Sequence, residues 1–383
     1  MFGSTDEETD GKRSYRHGRM TVGIDVMELA PSELVSPLPP WELGVKPGAV
    51  GVAIIDGSAA DWRMLGAERP ALADELRQAP VITVGVVRDA ANGEPIGGLV
   101  GGCDLVLTQE GPPGGGPDTL EERIQVLLKS LTGAGATALV AAQVLRAPVS
   151  SVAAESFAYS MLLGSEAFRG WRAASAPRPS SDGNGDGERV SVERAGTGWK
   201  LTLTRPHKHN AFDARMREQL CDALDAIAAA LPAPVVLLGA GRSFCSGGDL
   251  DEFGTAPSPV AAHLVRTGRS VARRLARLGP RIVAGVHGLC IGAGVEFAAF
   301  AAIVIAAPDA TFRLPELSLG LGLGAGGTAS IPARIGRHRT LELLLRAQPI
   351  DAPTALEWGL VDEVVAAEAD LVGRCFDAAE GLV

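Results

Sequence analysis

Apolar positions in the first half of the chain form short continuous runs and longer patterns with helical spacing. The runs Val50–Ile55 and Val81–Val87 have the length and continuity of buried strands. The stretches Thr119–Leu131 and Ser151–Arg169 repeat their apolar residues every three or four positions, which predicts helices with one buried face. Because strands and helices alternate, this half is predicted to be α/β.

The second half begins with two alternating segments, Val190–Arg194 and Trp199–Thr204, on either side of a short turn that contains glycine. Alternation predicts half-buried strands, and their close spacing predicts a hairpin. An apolar run at Pro234–Leu238 predicts a buried strand. Between hairpin and strand lies a stripe with helical spacing, formed by Phe212, Met216, Leu220, Leu224 and Ile227.

Two polar segments divide the chain. Residues 1–20 are polar and are predicted to be disordered, so residues 1–45 are assigned to a partly disordered N-terminal segment. Residues 175–188 are rich in Pro, Gly, Ser and Asp, which is typical of a linker. The predicted domains are therefore residues 46–174 and residues 189–383. The length of the chain leaves room for two folded units.

A short repeat relates the two predicted domains. Residues 71–90 align with residues 271–290, and the identical pairs are Arg77/Arg277, Pro80/Pro280, Ile82/Ile282, Gly85/Gly285 and Val86/Val286. A Gly-rich turn and further apolar segments follow each copy. We favour a diverged duplication, and a chance likeness between two helix–Pro–strand units is the alternative.

The charge distribution bears on possible partners. The 45 acidic residues outnumber the 35 basic ones, the formal net charge is -10, and no run of Lys and Arg occurs. Nucleic-acid and anionic-membrane surfaces need such basic runs. The stretch Ile282–Ala307 is long enough to cross a bilayer, but Glu296 in its middle makes insertion costly. We therefore predict binding neither to nucleic acid nor to a membrane.

The cysteines indicate the compartment. They lack the paired short spacing of zinc sites and are odd in number, which predicts reduced thiols, no metal site and a cytoplasmic protein. The charged N-terminus has no apolar core of a secretory signal. The five cysteines are Cys103, Cys221, Cys245, Cys290 and Cys375.

Two glycine-rich turns carry the first chemical signal. Residues 242–250 follow soon after the predicted strand 234–238, and residues 287–297 follow a second apolar run at 281–286. Glycine lets the backbone approach a ligand closely, and a following helix N-terminus directs N–H groups at an anionic oxygen. Two such donors can form an oxyanion hole. For each turn alone, a tight strand-to-helix connection without catalytic function is the alternative.

Two glutamates carry the second signal. Glu296 lies within an otherwise apolar segment, and Glu316 follows in the sequence LPEL. An unpaired buried carboxylate is costly, so Glu296 is predicted either to have partners or to act chemically. A salt-bridged or helix-capping glutamate is the alternative at this stage.

Taken together, these segments resemble the enoyl-CoA hydratase/isomerase (crotonase) superfamily over residues 195–365. The resemblance implies an α/β fold, the crotonase-like spiral of ββα turns. It also implies binding of acyl-CoA thioesters, stabilisation of a thioester enolate and assembly as trimer-type homo-oligomers. The motifs that carry it are TRPHKHNAF (204–212), FCSGGDL (244–250), GAGVE (292–296), LPELSLGL with GAGGT (314–328) and the segment 335–364.

The resemblance places the oxyanion-hole N–H groups at Gly248 and Ala293 and the two hydratase carboxylates at Glu296 and Glu316. Hydration of a 2-enoyl thioester needs one group to activate water and another to transfer a proton at Cα. We assign the water to Glu296 and the proton to Glu316. The predicted activity is enoyl-CoA hydratase, with acyl-CoA as substrate and no cofactor.

The same resemblance assigns Lys208, Ser246 and Asp249 to CoA binding, with an exposed loop charge as the alternative for Lys208. The sequence Gly322–Gly327 matches GxGxxG, but no strand directly precedes it, so dinucleotide binding is not favoured. Other thioester chemistry of the same family remains an alternative function: isomerisation, decarboxylation, dehalogenation or hydrolysis. A non-catalytic scaffold is a further alternative.

The N-terminal domain is interpreted as a degenerate crotonase-like copy, which gives two tandem copies with the catalytic one at the C-terminus. It has no counterpart of FCSGGDL, and Gly98 falls where Glu296 would be, so it is predicted to be non-catalytic. Residues 153–171 resemble the family's closing helices, which cover the acyl pocket and which we expect here from the N-terminal half. An unrelated α/β domain is the alternative.

Overall fold

The computed structural model describes residues 24–35, 49–90, 98–109, 119–147, 151–175, 187–346 and 348–382. The predicted disorder of residues 1–20 and most of the predicted linker, residues 176–186, lie outside the described residues. The two ends of that linker, residue 175 and residues 187–188, border folded segments on either side.

The N-terminal half is built on a four-stranded parallel sheet. Its strands pair in the order in which they occur along the chain: β1 (Ile24–Leu29), β2 (Val50–Gly57), β3 (Ile82–Val87) and β4 (Leu105–Thr108). All six residues of β3 are buried, as expected for a central strand covered on both faces.

Five helices are described in the N-terminal half: α1 (Ala59–Glu68), α2 (Leu72–Gln78), α3 (Leu120–Leu145), α4 (Val152–Leu163) and α5 (Glu166–Ala174). Helices α1 and α2 pack on one face of the sheet, and α3 covers the other face. A capping box between Thr119 and Glu122 begins α3, and Ser165 caps α5 by accepting the Phe168 N–H.

The strands of the C-terminal half are β5 (Val190–Ala195), β6 (Gly198–Leu203), β7 (Val235–Gly239), β8 (Ile282–Val286), β9 (Leu289–Ile291), β10 (Ile303–Ala306), β11 (Thr311–Arg313), β12 (Ile350–Asp351) and β13 (Glu363–Val364). They form a six-stranded sheet of order β13-β10-β8-β7-β6-β5 and a small sheet of order β12-β11-β9. Apart from the antiparallel pair β5 and β6, which is the predicted hairpin, the larger sheet is parallel.

Seven α-helices are described in the C-terminal half. They are α6 (Ala214–Ala229), α7 (Pro259–Gly268), α8 (Val271–Leu278), α9 (Ala293–Ala298), α10 (Gly327–Leu345, interrupted at Gly336), α11 (Ala352–Trp358) and α12 (Leu371–Glu380). The predicted stripe of α6 and the buried residues of α8 pack on one face, and α12 packs on the other. Side-chain caps from Asp213, Ser258 and Ser270 begin α6, α7 and α8.

The two halves share one continuous core. Helix α10 packs against α3, and buried residues of both sheets belong to the same apolar cluster. Across this junction, Arg337 donates to the Gly101 carbonyl, and a ring nitrogen of His338 lies 3.0 Å from the Cys103 carbonyl oxygen. The folded unit therefore extends over both predicted domains.

The structure corrects three sequence-based boundaries. The N-terminal sheet begins with β1, so the domain start predicted at residue 46 leaves out one of its strands. The stretch Ser151–Arg169 forms two helices rather than one, because the first helix ends before Gly164 and Ser165 caps the start of a second helix. Helix α3 continues to Leu145, well beyond the predicted end at Leu131.

The stretch Ile282–Ala307, tested above as a membrane span, folds into β8, β9, α9 and β10. Among the described helices, α3 is long and apolar enough to cross a membrane by length and composition alone. Core helices of soluble proteins pass the same test, and α3 packs on the N-terminal sheet and on α10.

Candidate active site

A cavity of about 1120 Å³ lies where the two glycine-rich turns meet helices from both halves of the chain. Six of the seven residues singled out by sequence line it: Ser246, Gly248, Asp249, Ala293, Glu296 and Glu316. Side chains from α4 and α5 close another part of its wall, including Tyr159, Leu163 and Phe168. The segment that resembles the closing helices thus lies against the predicted site.

Backbone hydrogen bonds hold the two turns side by side. The Cys245 N–H donates to the Leu289 carbonyl at 3.1 Å, and the Ile291 N–H donates to the Cys245 carbonyl at 2.9 Å. A Cβ on Gly247 would lie 3.0 Å from the carbonyl oxygen of Ile291, so this close approach requires glycine. Two turns that are distant in sequence therefore form one wall of the cavity.

The N–H groups of Gly248 and Ala293 belong to this wall. Within the described ranges, neither N–H has a hydrogen-bond acceptor. Ala293 is the first residue of α9, where an N–H has no intrahelical partner, and Gly292 before it has a φ of 50°. Both groups are available to a ligand oxygen in the cavity.

Glu296 is buried and oriented by the backbone. Its Oε2 accepts the N–H of Ala325 at 2.8 Å and the N–H of Gly327 at 2.7 Å. Burial, followed by the charges of Glu155 and Glu316, raises the pKa of Glu296 well above its ordinary value, and the two N–H groups oppose that rise. The other oxygen, Oε1, accepts no hydrogen bond from any described residue.

Glu316 begins a short 3-10 helix and lines the same cavity as Glu296. Its Oε2 is buried and has no hydrogen-bond partner among the described residues. Burial raises the pKa of Glu316 to about 8, and the nearby Arg313 charge partly opposes this. Burial therefore favours the protonated form of Glu316 at neutral pH more than it is favoured in an exposed glutamate.

A third buried carboxylate, Glu155, reaches the site from α4 in the N-terminal half. Its Oε1 accepts the Gly326 N–H at 2.7 Å, and its Oε2 accepts the Thr328 N–H at 2.9 Å and the Thr328 hydroxyl at 2.7 Å. Burial raises the pKa of Glu155. Glu155 was not predicted from the sequence, although a glutamate in a mainly apolar helical pattern is the same signal that singled out Glu296.

Tyr159 and Arg266 form the wall beside Glu155. A Cβ on Gly324 would lie 2.5 Å from the Tyr159 ring, so the ring packs directly on the loop that leads to Glu296's N–H donors. The Arg266 guanidinium stacks on the same ring, 4.5 Å from its centroid. Both side chains line the cavity.

Two of the three residues predicted to bind CoA, Lys208 and Asp249, form an ion pair with each other. The buried Asp249 carboxylate accepts from Arg205 at 2.7 Å and lies 3.4 Å from Lys208 Nζ. Lys208 also contacts Asp251 at 3.1 Å, and it is not among the cavity-lining residues. The Ser246 hydroxyl donates to the Lys208 carbonyl at 3.3 Å. Their assignment to CoA stays a prediction.

The cysteines are buried and unpaired, and no cluster of metal-ligating side chains occurs among the described residues. Burial raises the pKa of the Cys245 thiol to about 12, so at neutral pH this group beside the first turn is not a thiolate. The buried His287 has a ring nitrogen 2.9 Å from the Gly241 carbonyl oxygen, which fits a packed turn residue.

Comparison with known proteins identifies relatives of the C-terminal half. A family model described as enoyl-CoA hydratase/isomerase matches residues 194–383. The 1,2-epoxyphenylacetyl-CoA isomerase of Escherichia coli K12 is 37% identical over 170 residues, 43% of this chain and 65% of that protein. The 2,3-dehydroadipyl-CoA hydratase of the same strain is 35% identical over 172 residues, 45% of this chain and 67% of that protein.

Among solved structures, the enoyl-CoA hydratase of Thermoplasma volcanium GSS1 is 30% identical, with a TM-score of 0.46. The match covers 51% of this chain and 78% of that one. The chain spans about two thirds of the length of the curated relatives described here.

Proposed function

This chain belongs to the enoyl-CoA hydratase/isomerase family, and we propose that its cavity binds a 2-enoyl-CoA thioester and adds water across the double bond. The family is one of enzymes, and the C-terminal region has its crotonase-like α/β fold. The proposal rests mainly on one observation. Two buried carboxyl groups with raised pKa values share a cavity with two N–H groups that have no acceptor among the described residues.

In the proposed reaction, the N–H groups of Gly248 and Ala293 donate to the thioester carbonyl oxygen. They stabilise the negative charge that develops there when water attacks Cβ. The oxygen of water bonds to Cβ, one water proton passes to a carboxylate, and the π electrons move toward the thioester to form an enolate. A carboxylic acid then protonates Cα, which gives the 3-hydroxyacyl thioester.

The different surroundings of the two glutamates support different roles. Oε2 of Glu296 accepts two N–H groups, which oppose the rise in its pKa and leave Oε1 to accept the water proton. Oε2 of Glu316 has no donor among the described residues, and burial raises the pKa of Glu316 to about 8, which suits a group that gives a proton to Cα. Two coupled carboxyl groups that carry one proton between them suit a base and an acid in one step.

Isomerisation is the second candidate, because a relative named 1,2-epoxyphenylacetyl-CoA isomerase is 37% identical over the matched region. Shifting a double bond requires the same oxyanion donors and only one base. Product analysis distinguishes the two reactions, because hydration adds the mass of water to the substrate and isomerisation leaves the mass unchanged.

We also propose that the N-terminal half is a diverged, non-catalytic crotonase-like copy. Its parallel strands pair in the order β1-β2-β3-β4, and the parallel strands of the C-terminal sheet pair in the order β6-β7-β8-β10. The repeated sequence aligns β3 with β8, and each is the third strand in its order. Homo-oligomeric assembly and a cytoplasmic location remain predictions from the resemblance and the cysteines.

The test measures the decrease in enoyl absorbance of crotonyl-CoA and of longer and aryl-substituted 2-enoyl-CoAs. Mass spectrometry then determines the mass of the products. We expect Glu296→Gln and Glu316→Gln each to lower kcat by about 10²- to 10⁴-fold, with little change in binding of a saturated acyl-CoA. Glu342→Gln is a matched control. Burial also raises the pKa of Glu342, but this residue does not line the cavity and lies 3.4 Å from Arg346.

Unchanged turnover in either glutamine variant would refute the role assigned to that residue. Acyl-CoA binding without turnover of any 2-enoyl-CoA would reject hydration and favour other thioester chemistry. Absence of acyl-CoA binding would favour a scaffold.

A further inference from the structure

Arg266 lines the cavity without an acidic partner. It lies on α7, and within the described residues no carboxylate oxygen lies within ion-pair distance of its guanidinium. The charge of Glu155 on α4 acts on Arg266 without direct contact, and the Glu155 oxygens accept hydrogen bonds from Gly326 and Thr328. Arg266 is half-buried, and a cation partly removed from water without a paired anion loses hydration that a ligand anion would replace.

Neutral groups hold Arg266 in one orientation. Its Nε donates to the Ser156 hydroxyl at 3.1 Å, and its Nη2 donates to the Ser156 carbonyl at 3.3 Å and to the Ser160 hydroxyl. Its plane stacks on the Tyr159 ring. The remaining nitrogen, Nη1, has no acceptor in the described part of the chain. The guanidinium is therefore fixed in place with one nitrogen free for a ligand.

Tyr159 supplies a second unused donor at the same place. Its hydroxyl has no hydrogen-bond partner among the residues that the structure describes, and its side chain lines the cavity. Burial raises the pKa of the Tyr159 phenol, so the hydroxyl keeps its proton and acts as a donor. The hydroxyl is therefore available to donate to a ligand acceptor in the cavity.

Tyr159 lies next to the reaction centre. Its ring packs on Gly324, directly before the Ala325–Gly327 segment that holds Glu296. The charges of Glu316, Glu296 and Glu155 all act on its phenol. The Tyr159–Arg266 pair therefore lies beside the carboxyl groups that act at Cα and Cβ of the acyl chain in the proposed reaction.

We propose that Tyr159 and Arg266 form an anion subsite for the distal end of the acyl group, so that the substrate class is 2-enoyl-CoA thioesters bearing a carboxylate on the acyl chain. This inference rests on the proposed function for the identity of the thioester. The Arg266 guanidinium provides the charge, and the Tyr159 hydroxyl provides a second hydrogen bond to the same carboxylate.

The test is a binding measurement that needs no turnover. Saturated dicarboxylic monothioesters of CoA, from succinyl to suberoyl, are compared by titration calorimetry with monocarboxylic thioesters of equal chain length and with free CoA. For at least one length, we expect the wild-type protein to bind the acid-ended thioester about 10- to 100-fold more tightly, as a charged hydrogen-bonded pair provides.

Arg266→Gln and Tyr159→Phe should reduce that preference, Arg266→Gln by at least about tenfold, while free CoA binds within about twofold of wild type. Arg273→Gln is the control, because Arg273 is an exposed arginine that does not line the cavity, and it should retain the preference. The wild-type comparison remains valid even if a variant fails to fold.

Equal binding of acid-ended and neutral thioesters at every length, or no binding of either, would overturn the proposal. So would an equal loss of free CoA and acid-ended thioester in Arg266→Gln, because Arg266 would then bind the CoA moiety. A clear acid preference without hydration of the matching 2-enoyl-CoA would reject the proposed reaction and leave the subsite intact.

Discussion

The carboxylates of Glu155 and Glu296 bind alternate N–H groups of a single turn. The N–H groups of Gly326 and Thr328 donate to Glu155, and the Gly327 N–H between them donates to Glu296 at 2.7 Å. Glu155 comes from the N-terminal half and Glu296 from the C-terminal half. The position of one predicted catalytic group therefore depends on a helix that lies far away in sequence.

Replacing Glu155 by glutamine should change the pH dependence of the reaction. The charge of Glu155 raises the pKa of Glu296, so a neutral side chain should lower that pKa and move the acidic limb of the kcat/KM profile to lower pH. Since a glutamine amide cannot accept both N–H groups, we also expect a loss of about 1–3 kcal/mol in the free energy of unfolding. The measurements are a pH–rate profile and denaturant unfolding.

Thr328→Val separates these two effects. It removes only the hydroxyl donor to Glu155 and keeps the charge, so the acidic limb should stay in place. If the kcat/KM pH profile of Glu155→Gln has a lower maximum but an acidic limb at the wild-type pH, Glu155 acts only on stability.

Replacing Ala293 by proline should remove one oxyanion donor. Proline lacks the N–H and is favoured at the first position of a helix, which Ala293 occupies in α9. We expect kcat to fall by about 10²- to 10³-fold with an unchanged circular dichroism spectrum and melting temperature. Gly248→Pro is a poorer test, because a Cβ at Gly248 would lie 2.5 Å from the Phe253 ring.

Ala293→Ser is the control for the proline variant, since serine keeps the backbone N–H at nearly the same size. Wild-type turnover in Ala293→Pro would contradict the proposed oxyanion role, provided that the variant melts like the parent protein.

Glu316 should make the protein less stable as pH rises. Its pKa in the folded state, about 8, is above the value of about 4.5 in the unfolded chain, so over this range only the folded state holds the proton. The free energy of unfolding should therefore fall between these pH values. Glu316→Gln lacks this titration, and its melting temperature should exceed that of wild type by a margin that grows with pH.

The exposed Glu357, changed to glutamine, controls for the loss of one carboxylate. A melting-temperature difference between Glu316→Gln and wild type that is constant or shrinks from about pH 5 to about pH 8 would be inconsistent with the raised pKa.

The C-terminal half should not be active alone. A fragment of residues 187–383 lacks Glu155, Tyr159 and Phe168, whose ring lies against Gly254 at the cavity wall. It also exposes the apolar face of α10 that packs on α3. We expect an insoluble or inactive fragment, with activity restored by co-expression of residues 1–186. Solubility and the enoyl-CoA assay are the measurements.

The matched control is the full chain cut by a protease site placed within residues 176–186 after folding, which breaks the same connection while both halves are present. A soluble 187–383 fragment with wild-type kcat/KM would show that the N-terminal half is dispensable for the site.

Sequence patterns predicted the secondary structure correctly where a segment pairs with the segment next to it in the chain. The alternation in Val190–Arg194 and Trp199–Thr204 is that of a hairpin, and the structure pairs β5 with β6. The break between α4 and α5 was missed, because the apolar spacing continues through Gly164 and only the Ser165 cap marks the new helix. Strand β1 was also missed, because its partner β2 lies beyond a long connection.

By itself, the sequence determined the β5–β6 hairpin, helix α6 and the buried strands β7 and β8 of the C-terminal half, its two glycine-rich turns and its family, and it singled out Glu296 and Glu316. These features are local, since periodicity, glycine turns and a carboxylate in an apolar run can be recognised within a few residues. Only the tertiary structure decided that Glu155 binds the same turn as Glu296 and that Tyr159 and Arg266 line the cavity that contains the carboxylate pair. Such contacts depend on how two sheets pack through α3 and α10, which no short-range pattern encodes.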